Sequence, residues 1–420
     1  MLALTPLLFF IVVYLVGSLV AGDFYKIPIS VAFMLTAIVA VAVSKGKVKS
    51  RLKAFSRGAG DQNMMLMIWI FILAGAFANS AKALGSIDEV VFLTLSVVPS
   101  NALFVGLFVS AALISLSVGT SVGTIVALTP IAAGFATYVN APMAMVTAIV
   151  VGGAFFGDNL SFISDTTVVA TQSQGCKMSD KFKTNIRIAL PAALLLVVVY
   201  AVMGLDVDVK DVYPEVNALK VVPYLVVLVA AAMGVNVLLV LCMGMVLTGM
   251  IGIYVNSFDF YGWLGVMGDG AVGMGELIIV TMLAGGILEL TRVNGGIRFM
   301  MQGILKHVKS PRSAELSIAA LVSVVDVCTA NNTVAIITVA GIAKDISQRF
   351  GLDPKRVASI LDTFSCMVQG LIPYGAQLLM AAALAKINPV DIIPYLYYPY
   401  ALGVCALLMI LIPRKRTVNS

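Results

Sequence analysis

The sequence has little charge: 11% of its 420 residues are Asp, Glu, Lys or Arg, against roughly 25% in an ordinary soluble domain. With 60% hydrophobic residues, a water-soluble fold would have no polar surface to present. Histidine is nearly absent. His307 is the single one, which excludes a histidine metal site or a histidine-based catalytic triad within this chain. The five cysteines (Cys176, Cys242, Cys328, Cys366 and Cys405) are scattered without a CxxC and carry no metal or disulfide signal. There is no HExxH, no GxSxG and no cofactor motif, so an enzyme is the least favoured class and no cofactor is expected. The first 21 residues lack a basic start and a small-residue cleavage pattern, and read as a first spanning helix. The glycine-rich run Gly265 to Gly275 lacks the lysine and hydroxyl of a phosphate loop and reads as a flexible outward connector.

What the chain does have is long apolar runs between short charged segments, with a mean hydropathy of +1.03. Stretches such as Pro191 to Met203 are continuously apolar, where a membrane β-barrel would alternate over segments of about 10 residues, so spanning helices are expected. Clear spans are 4–21, 28–44, 63–83, 101–117, 141–157, 188–204, 221–237, 238–255, 275–290, 313–327, 356–370 and 395–412. Shorter pieces at membrane depth are 88–99, 120–138, 158–172, 330–346 and 373–386. The net charge of +6 is the excess of Lys and Arg expected in cytoplasmic loops and gives no reason to expect nucleic acid as a partner. The partner is the lipid bilayer.

Loop charge gives orientation. Segments 45–62, 176–187 and 291–312 and the tail with Arg414, Lys415 and Arg416 are basic and should be cytoplasmic. Segment 206–215, with Asp206, Asp208, Asp211 and Glu215 against Lys210, should face outward, leaving both termini inside. A shift of about 211 residues places 117–132, SVGTSVGTIVALTPIA, over 328–343, CTANNTVAIITVAGIA, and 149–163 over 360–374. Under this shift each basic loop falls on one poor in basic residues: 45–62 on 256–273, 291–312 on 80–101, and 346–356 on 135–145. Two halves of opposite topology would give that pattern, and inverted repeats mark secondary transporters with sites at broken helices near the midplane. The expected fold is therefore an all-α polytopic membrane protein of two inverted-topology repeats, 1–205 and 221–420, joined by an external acidic linker at 206–220, with broken or re-entrant helices meeting near the bilayer midplane.

Ionisable groups at membrane depth are costly and are functional candidates. The densest cluster is GDNLSFISDTT at 157–167, with two carboxylates, one carboxamide and four hydroxyls in 11 residues. A lipid-facing helix could not hold it, whereas an unwound segment lining a wet cavity could. Oxygen-rich sites suit small hard cations such as Na⁺. A buried carboxylate can bind a proton instead, since desolvation disfavours its charged form, and competition for one site suffices for exchange. Asp158 and Asp165 are the candidate sodium ligands, with Asn159, Ser161, Ser164 and Thr166 beside them; the alternative is that the aspartates cap helix ends. Thr329-Ala330-Asn331-Asn332-Thr333, preceded by Asp326, aligns with Gly119 to Thr124. Thr120, Ser121, Asn331, Asn332 and Thr333 thus read either as half-helix starts at a central site or as ordinary caps. Asp362, Gln369 and the run Pro373 to Gln377 repeat the theme; Asp362 is an ion or proton ligand or a structural hydrogen-bonder. Glu289 and Arg292 should pair on one helix face, and Glu276 and Glu315 should reach the interface.

The run at 157–167 resembles the signature of the NhaC family of sodium/proton antiporters, in which G-D-x-x-S-x-x-S-D-T-T recurs. GTSVGT at 119–124 and LDTFSCMVQGLIPYGAQ at 361–377 also resemble that family, so the likeness spans both halves. The resemblance implies Na⁺/H⁺ exchange in a bacterial plasma membrane and points to Asp158, Ser161, Ser164, Asp165 and Thr166. Many such carriers are dimers, so a homodimer is one expected state. The alternative substrate is a small organic acid such as malate or lactate, exchanged with Na⁺ or H⁺. No Lys or Arg lies between 118 and 176, which favours a bare cation. An uncoupled channel is the third reading, opposed by the paired acidic sites.

Overall fold

Apolar runs make the helices, and Asn, Asp, Ser, Pro and Gly set their ends. In the computed structural model, which describes residues 4–17, 20, 26–162, 164–205, 207, 216–306 and 308–412, there is no strand among the described residues. The acidic linker residues Asp206, Asp208, Lys210, Asp211 and Glu215, His307 and the basic tail lie outside them. The helices are α1 Thr5–Phe10, α2 Ile29–Val43, α3 Val48–Ala59, α4 Gln62–Leu84, α5 Ser86–Val97, α6 Leu103–Val118, α7 Ser121–Tyr138, α8 Met143–Leu160, α9 Asp165–Gln174 and α10 Met178–Gly204. There follow α11 Ala218–Ala232, α12 Val237–Tyr254, α13 Phe260–Gly273, α14 Gly275–Val293, α15 Gly296–Leu305, α16 Pro311–Thr329, α17 Asn332–Phe350, α18 Pro354–Gln369, α19 Ala376–Ala385, α20 Pro389–Ile392 and α21 Tyr397–Leu411. Among the described residues, six helices are long and apolar enough to cross a bilayer, and the pair Ala376–Ala385 and Pro389–Tyr395 bends by 99° at its break. The chain is an all-helical polytopic membrane protein.

The helix bounds recur along the chain. Adding 211 to the bounds of α9 gives those of α19, and α2 to α8 are followed, within a few residues, by α12 to α18. The stops recur too. Gly119 (φ 73°) ends α6 and Ala330 (φ 48°) ends α16; Gly175 (φ 71°) follows α9 and Lys386 (φ 56°) follows α19. Glycine takes this left-handed conformation without strain, whereas Ala330 and Lys386 carry a cost of about 1–2 kcal/mol each, so the break is kept even where glycine is not. Packing is reciprocal as well: α9 lies on α17 and α18, and α19 lies on α7 and α8.

Two segments differ from expectation. The basic loop 45–62 contains α3, and the presumed flexible glycine run lies largely in α13. Each packs by glycine on a long helix. Gly58 of α3 meets the Gly285 backbone in α14, and Gly270 of α13 meets the Gly75 backbone in α4, so closely that an added Cβ would overlap the partner's carbonyl. Backbone-to-backbone contact needs glycine on both sides; α3 exposes Lys49 and Lys53, while Arg57 reaches Glu289 of α14 at 3.7 Å.

Helix α10 exposes Leu194, Leu195, Val198 and Val202, as a bilayer face would. By contrast α8 is buried almost throughout, surrounded by α6, α7, α10, α18, α19 and α21. The helix that ends in Asp158 and Asn159 is therefore the axis of the molecule, not a lipid-facing span.

Candidate functional site

The piece 158–172 is not continuous. Helix α8 runs to Leu160, the chain is extended at Ser161 and Ser164, and α9 starts at Asp165. The break sets polar side chains between helix ends. Asp158 is 5% exposed, and both of its oxygens accept hydrogen bonds from hydroxyls: Oδ2 from Ser121 Oγ at 2.8 Å and Oδ1 from Ser164 Oγ at 2.5 Å. Ser164 and Thr166 share a further bond of 2.9 Å. Ser121 opens α7 and Ser164 is the N-cap of α9, so Asp158 joins two half-helix starts. No salt bridge reaches Asp158 among the described residues.

The chain of bonds continues into the other break. Gln377, in the first turn of α19, donates to Ser121 Oγ at 3.1 Å, and Gln369, at the end of α18, donates to Gln377 Oε1 at 2.7 Å and to the Ala330 carbonyl at 3.1 Å. The starts of α7, α9 and α19 and the Ala330 stop of α16 are thus tied into one polar chain. Helix N-termini carry partial positive charge, which favours a carboxylate among them.

A second cluster abuts the first. Asp362 of α18 is fully buried and forms a salt bridge with Lys181 of α10 at 2.6 Å. The Lys181 ammonium also donates to the Asn159 carbonyl at 2.6 Å and to Thr167 Oγ1 at 2.7 Å. Asn185 and Asn159 donate to Asp362 Oδ2 at 2.9 and 3.2 Å, whereas Asp362 Oδ1 has no hydrogen-bond partner.

The candidate residues divide as follows. Asp158, Ser121, Ser164 and Thr166 come together, and Asn159 and Asp362 meet in the second cluster. Ser161 Oγ donates to the Leu116 carbonyl at 3.0 Å and pins the break to α6. Asp165 is exposed and outside both clusters, in the first turn of α9. Thr120 is the N-cap of α7. Asn331 and Asn332 accept from the backbone amides of Val334 and Thr333, both at 3.0 Å, so they cap α17, with Thr333 half-buried beside them.

Lys181 is the residue that sequence reasoning missed. Counted with the basic cytoplasmic loop 176–187, it is instead 1% exposed inside the protein. A signal was present: Lys181, Thr184, Asn185 and Ile188 fall at i, i+3, i+4 and i+7 and form the buried stripe of α10. Glu315 is a second correction. It does not reach the interface but is buried against Arg356, whose Nη2 donates to Glu315 Oε2 at 2.7 Å and to the Met409 carbonyl at 2.8 Å. Glu276 is exposed, and Glu289 pairs with Arg292 at 2.8 Å as expected.

This broken-helix arrangement can be compared with known proteins. The sequence pattern of the Na⁺/H⁺ antiporter family matches residues 2–205 and 212–413. The chain belongs to that family. It is 24% identical over 379 residues to the Na⁺/H⁺ antiporter NhaC of Bacillus subtilis (strain 168), covering 81% of this chain and 82% of that one. It is 20% identical over 377 residues to the malate-2H⁺/Na⁺-lactate antiporter of the same organism, covering 81% and 80%. Among solved structures, the YdaH transporter of Alcanivorax borkumensis aligns over 91% of this chain and 95% of that one, with 11% identity and a TM-score of 0.43. The resemblance to NhaC read from 157–167 is thus matched along the whole chain, and the protein is a transporter by family.

Proposed function

We propose that this protein exchanges Na⁺ for H⁺ across a bacterial plasma membrane, the two ions competing for Asp158. The observation that carries this reading is the Asp158 cage. A buried carboxylate without a cationic partner is held by the hydroxyls of Ser121 and Ser164, with Thr166 adjoining. A sodium ion there would have its charge neutralised by Asp158 and its water replaced by hydroxyl and carbonyl oxygens. A proton on the same carboxyl would neutralise it equally and exclude the ion. One binding event therefore displaces the other, and movement of the occupied site completes the exchange.

The repeated helix bounds and the loop charges support two halves of opposite topology, divided near 206–220, with both termini cytoplasmic. Reciprocal packing of α9 and α19 supports a site made jointly by both halves. Exchange of an organic acid is favoured by one observation, the three helix starts tied together, whose N–H groups would suit a carboxylate. Lys181 does not strengthen it, because its ammonium is fully engaged by Asp362, Asn159 and Thr167.

The test is reconstitution in vesicles with a trapped pH dye and an imposed proton gradient. Sodium added outside should collapse the gradient, and Asp158→Asn should abolish that response. No response to sodium, with a response to malate or lactate, would replace this reading with the organic-acid exchanger.

A further inference from the structure

The polar chain that begins at Asp158 ends beside another carboxylate that exchange at Asp158 leaves unused. Asp326, in the last turn of α16, is 0% exposed, and neither of its oxygens has a hydrogen-bond partner of ordinary geometry, although the Gln369 backbone amide lies close to it. Gln369 Oε1 is also buried and unpartnered. The orientation of that amide is fixed, since its nitrogen faces two acceptors, Gln377 Oε1 and the Ala330 carbonyl. Asp326 thus presents two buried acceptor oxygens with no side-chain donor on either.

A buried carboxylate in this state is expensive. Removing an unpaired ion from water is costly even after its surroundings relax. Asp158 avoids that cost with two hydroxyl donors and Asp362 with an ammonium, but Asp326 has neither. The Lys and Arg salt bridges among the described residues go to Glu289, Asp362, Asp353 and Glu315. The titratable groups facing Asp326 are Cys328 on its own helix and Tyr374 from the segment between α18 and α19. Neither is a cation, and the Tyr374 hydroxyl is committed to the Val327 carbonyl at 2.6 Å.

One added proton resolves the mismatch, because it removes the uncompensated charge. We infer that Asp326 is a second proton-binding site, distinct from the sodium cage, which carries a proton in the sodium-free protein and releases it during exchange. This inference deepens the proposed antiport and rests on it for its role in transport. A cavity borders the residues that follow Asp326. A cavity of about 40 Å³, space for a water molecule, is lined by Cys328, Thr329, Ala330 and Tyr374. It shares Thr329 and Leu288 with a larger cavity of about 150 Å³ bordered by Arg57, Asp61, Glu289 and Arg292. The link to the ion site runs through Gln369, Gln377 and Ser121, each donating towards Asp158.

The test uses the full chain in lipid, with infrared difference spectra on raising the pH and two transport assays, proton-driven uptake of radioactive sodium and sodium-for-sodium exchange at equal pH. The wild type should lose the C=O stretch of a protonated buried carboxyl, and Asp326→Asn should lack that band. The same variant should slow proton-driven uptake by about tenfold or more and leave sodium-for-sodium exchange within about twofold, as for a group that carries H⁺ but not Na⁺. A band that persists in the variant, proton-driven uptake at the wild-type rate, or loss of both transport modes in a folded variant would overturn the inference. If Asp326→Asn does not fold, Asp326→Glu decides: its pH profile for proton-driven uptake should be displaced, and an unchanged profile would overturn the inference. If the wild type shows no sodium-elicited proton flux, the antiport reading fails, and the infrared band alone still decides whether Asp326 holds a proton.

Discussion

Replacing Lys181 by methionine keeps the length and most of the volume of the side chain and removes the charge. In the native protein the ammonium lies 2.6 Å from Asp362 Oδ2, with Asn159 and Thr167 completing its oxygen shell. After the replacement, Asp362 keeps the amide donors Asn185 and Asn159 on one oxygen and nothing on the other, and stays fully buried. Breaking a buried ion pair from one side costs about 3–5 kcal/mol, because the surviving charge is uncompensated. At about 1.4 kcal/mol per factor of ten, the unfolding equilibrium should shift by more than a hundredfold. Asp362→Asn added to Lys181→Met removes the stranded charge and should recover most of the loss, within about 1 kcal/mol of the wild type. The assay is denaturant titration of purified protein in mixed micelles, with both single variants and the double variant. A cost below about 1 kcal/mol for Lys181→Met, or a double variant no better than the single, would refute a tightly coupled buried pair.

Two further outcomes are expected. Ser164→Ala removes one of the two hydroxyl donors of Asp158; a hydrogen bond to a charged group contributes about 1.5–3 kcal/mol, so the sodium concentration for half-maximal exchange should shift by about tenfold or more, as read by dye-reported flux. Gly270→Ala places a methyl group against the Gly75 carbonyl and should cost about 1–3 kcal/mol of overpacking, measured as a lower melting temperature in detergent.

Much of the fold was legible because the bilayer imposes it. Apolar runs long enough to span gave most helices, and the matched segments 117–132 and 328–343 marked the places where α6 stops before α7 and α16 before α17. The Asp158 cluster was legible because its ligands are local: Ser164 and Thr166 lie a few residues away, and Ser121 sits in the next marked break. Lys181 was not legible, since its partner Asp362 lies in the other half and a count of loop charges cannot see burial. Glu315 was misjudged because its partner, Arg356, lies 41 residues further along the chain on another helix. Helices α3 and α13 were hidden because charge and glycine both imitate loops. Their glycines serve crossings whose partners, Gly285 and Gly75, are far away in sequence.

Asp158 and Asn159 are consecutive residues, held in opposite directions. Ser121 and Ser164 grip the Asp158 carboxylate, while Lys181 and Asn185 grip the Asn159 carbonyl. The last turn of α8 is thus a short beam clamped on two sides, one clamp at the candidate ion site and the other anchored through α10 and α18. Under the exchange proposed above, an ion on the Asp158 carboxylate would sit one residue from the carbonyl that Lys181 holds. The proposed ion site and the α10–α18 salt bridge would then share the last turn of α8.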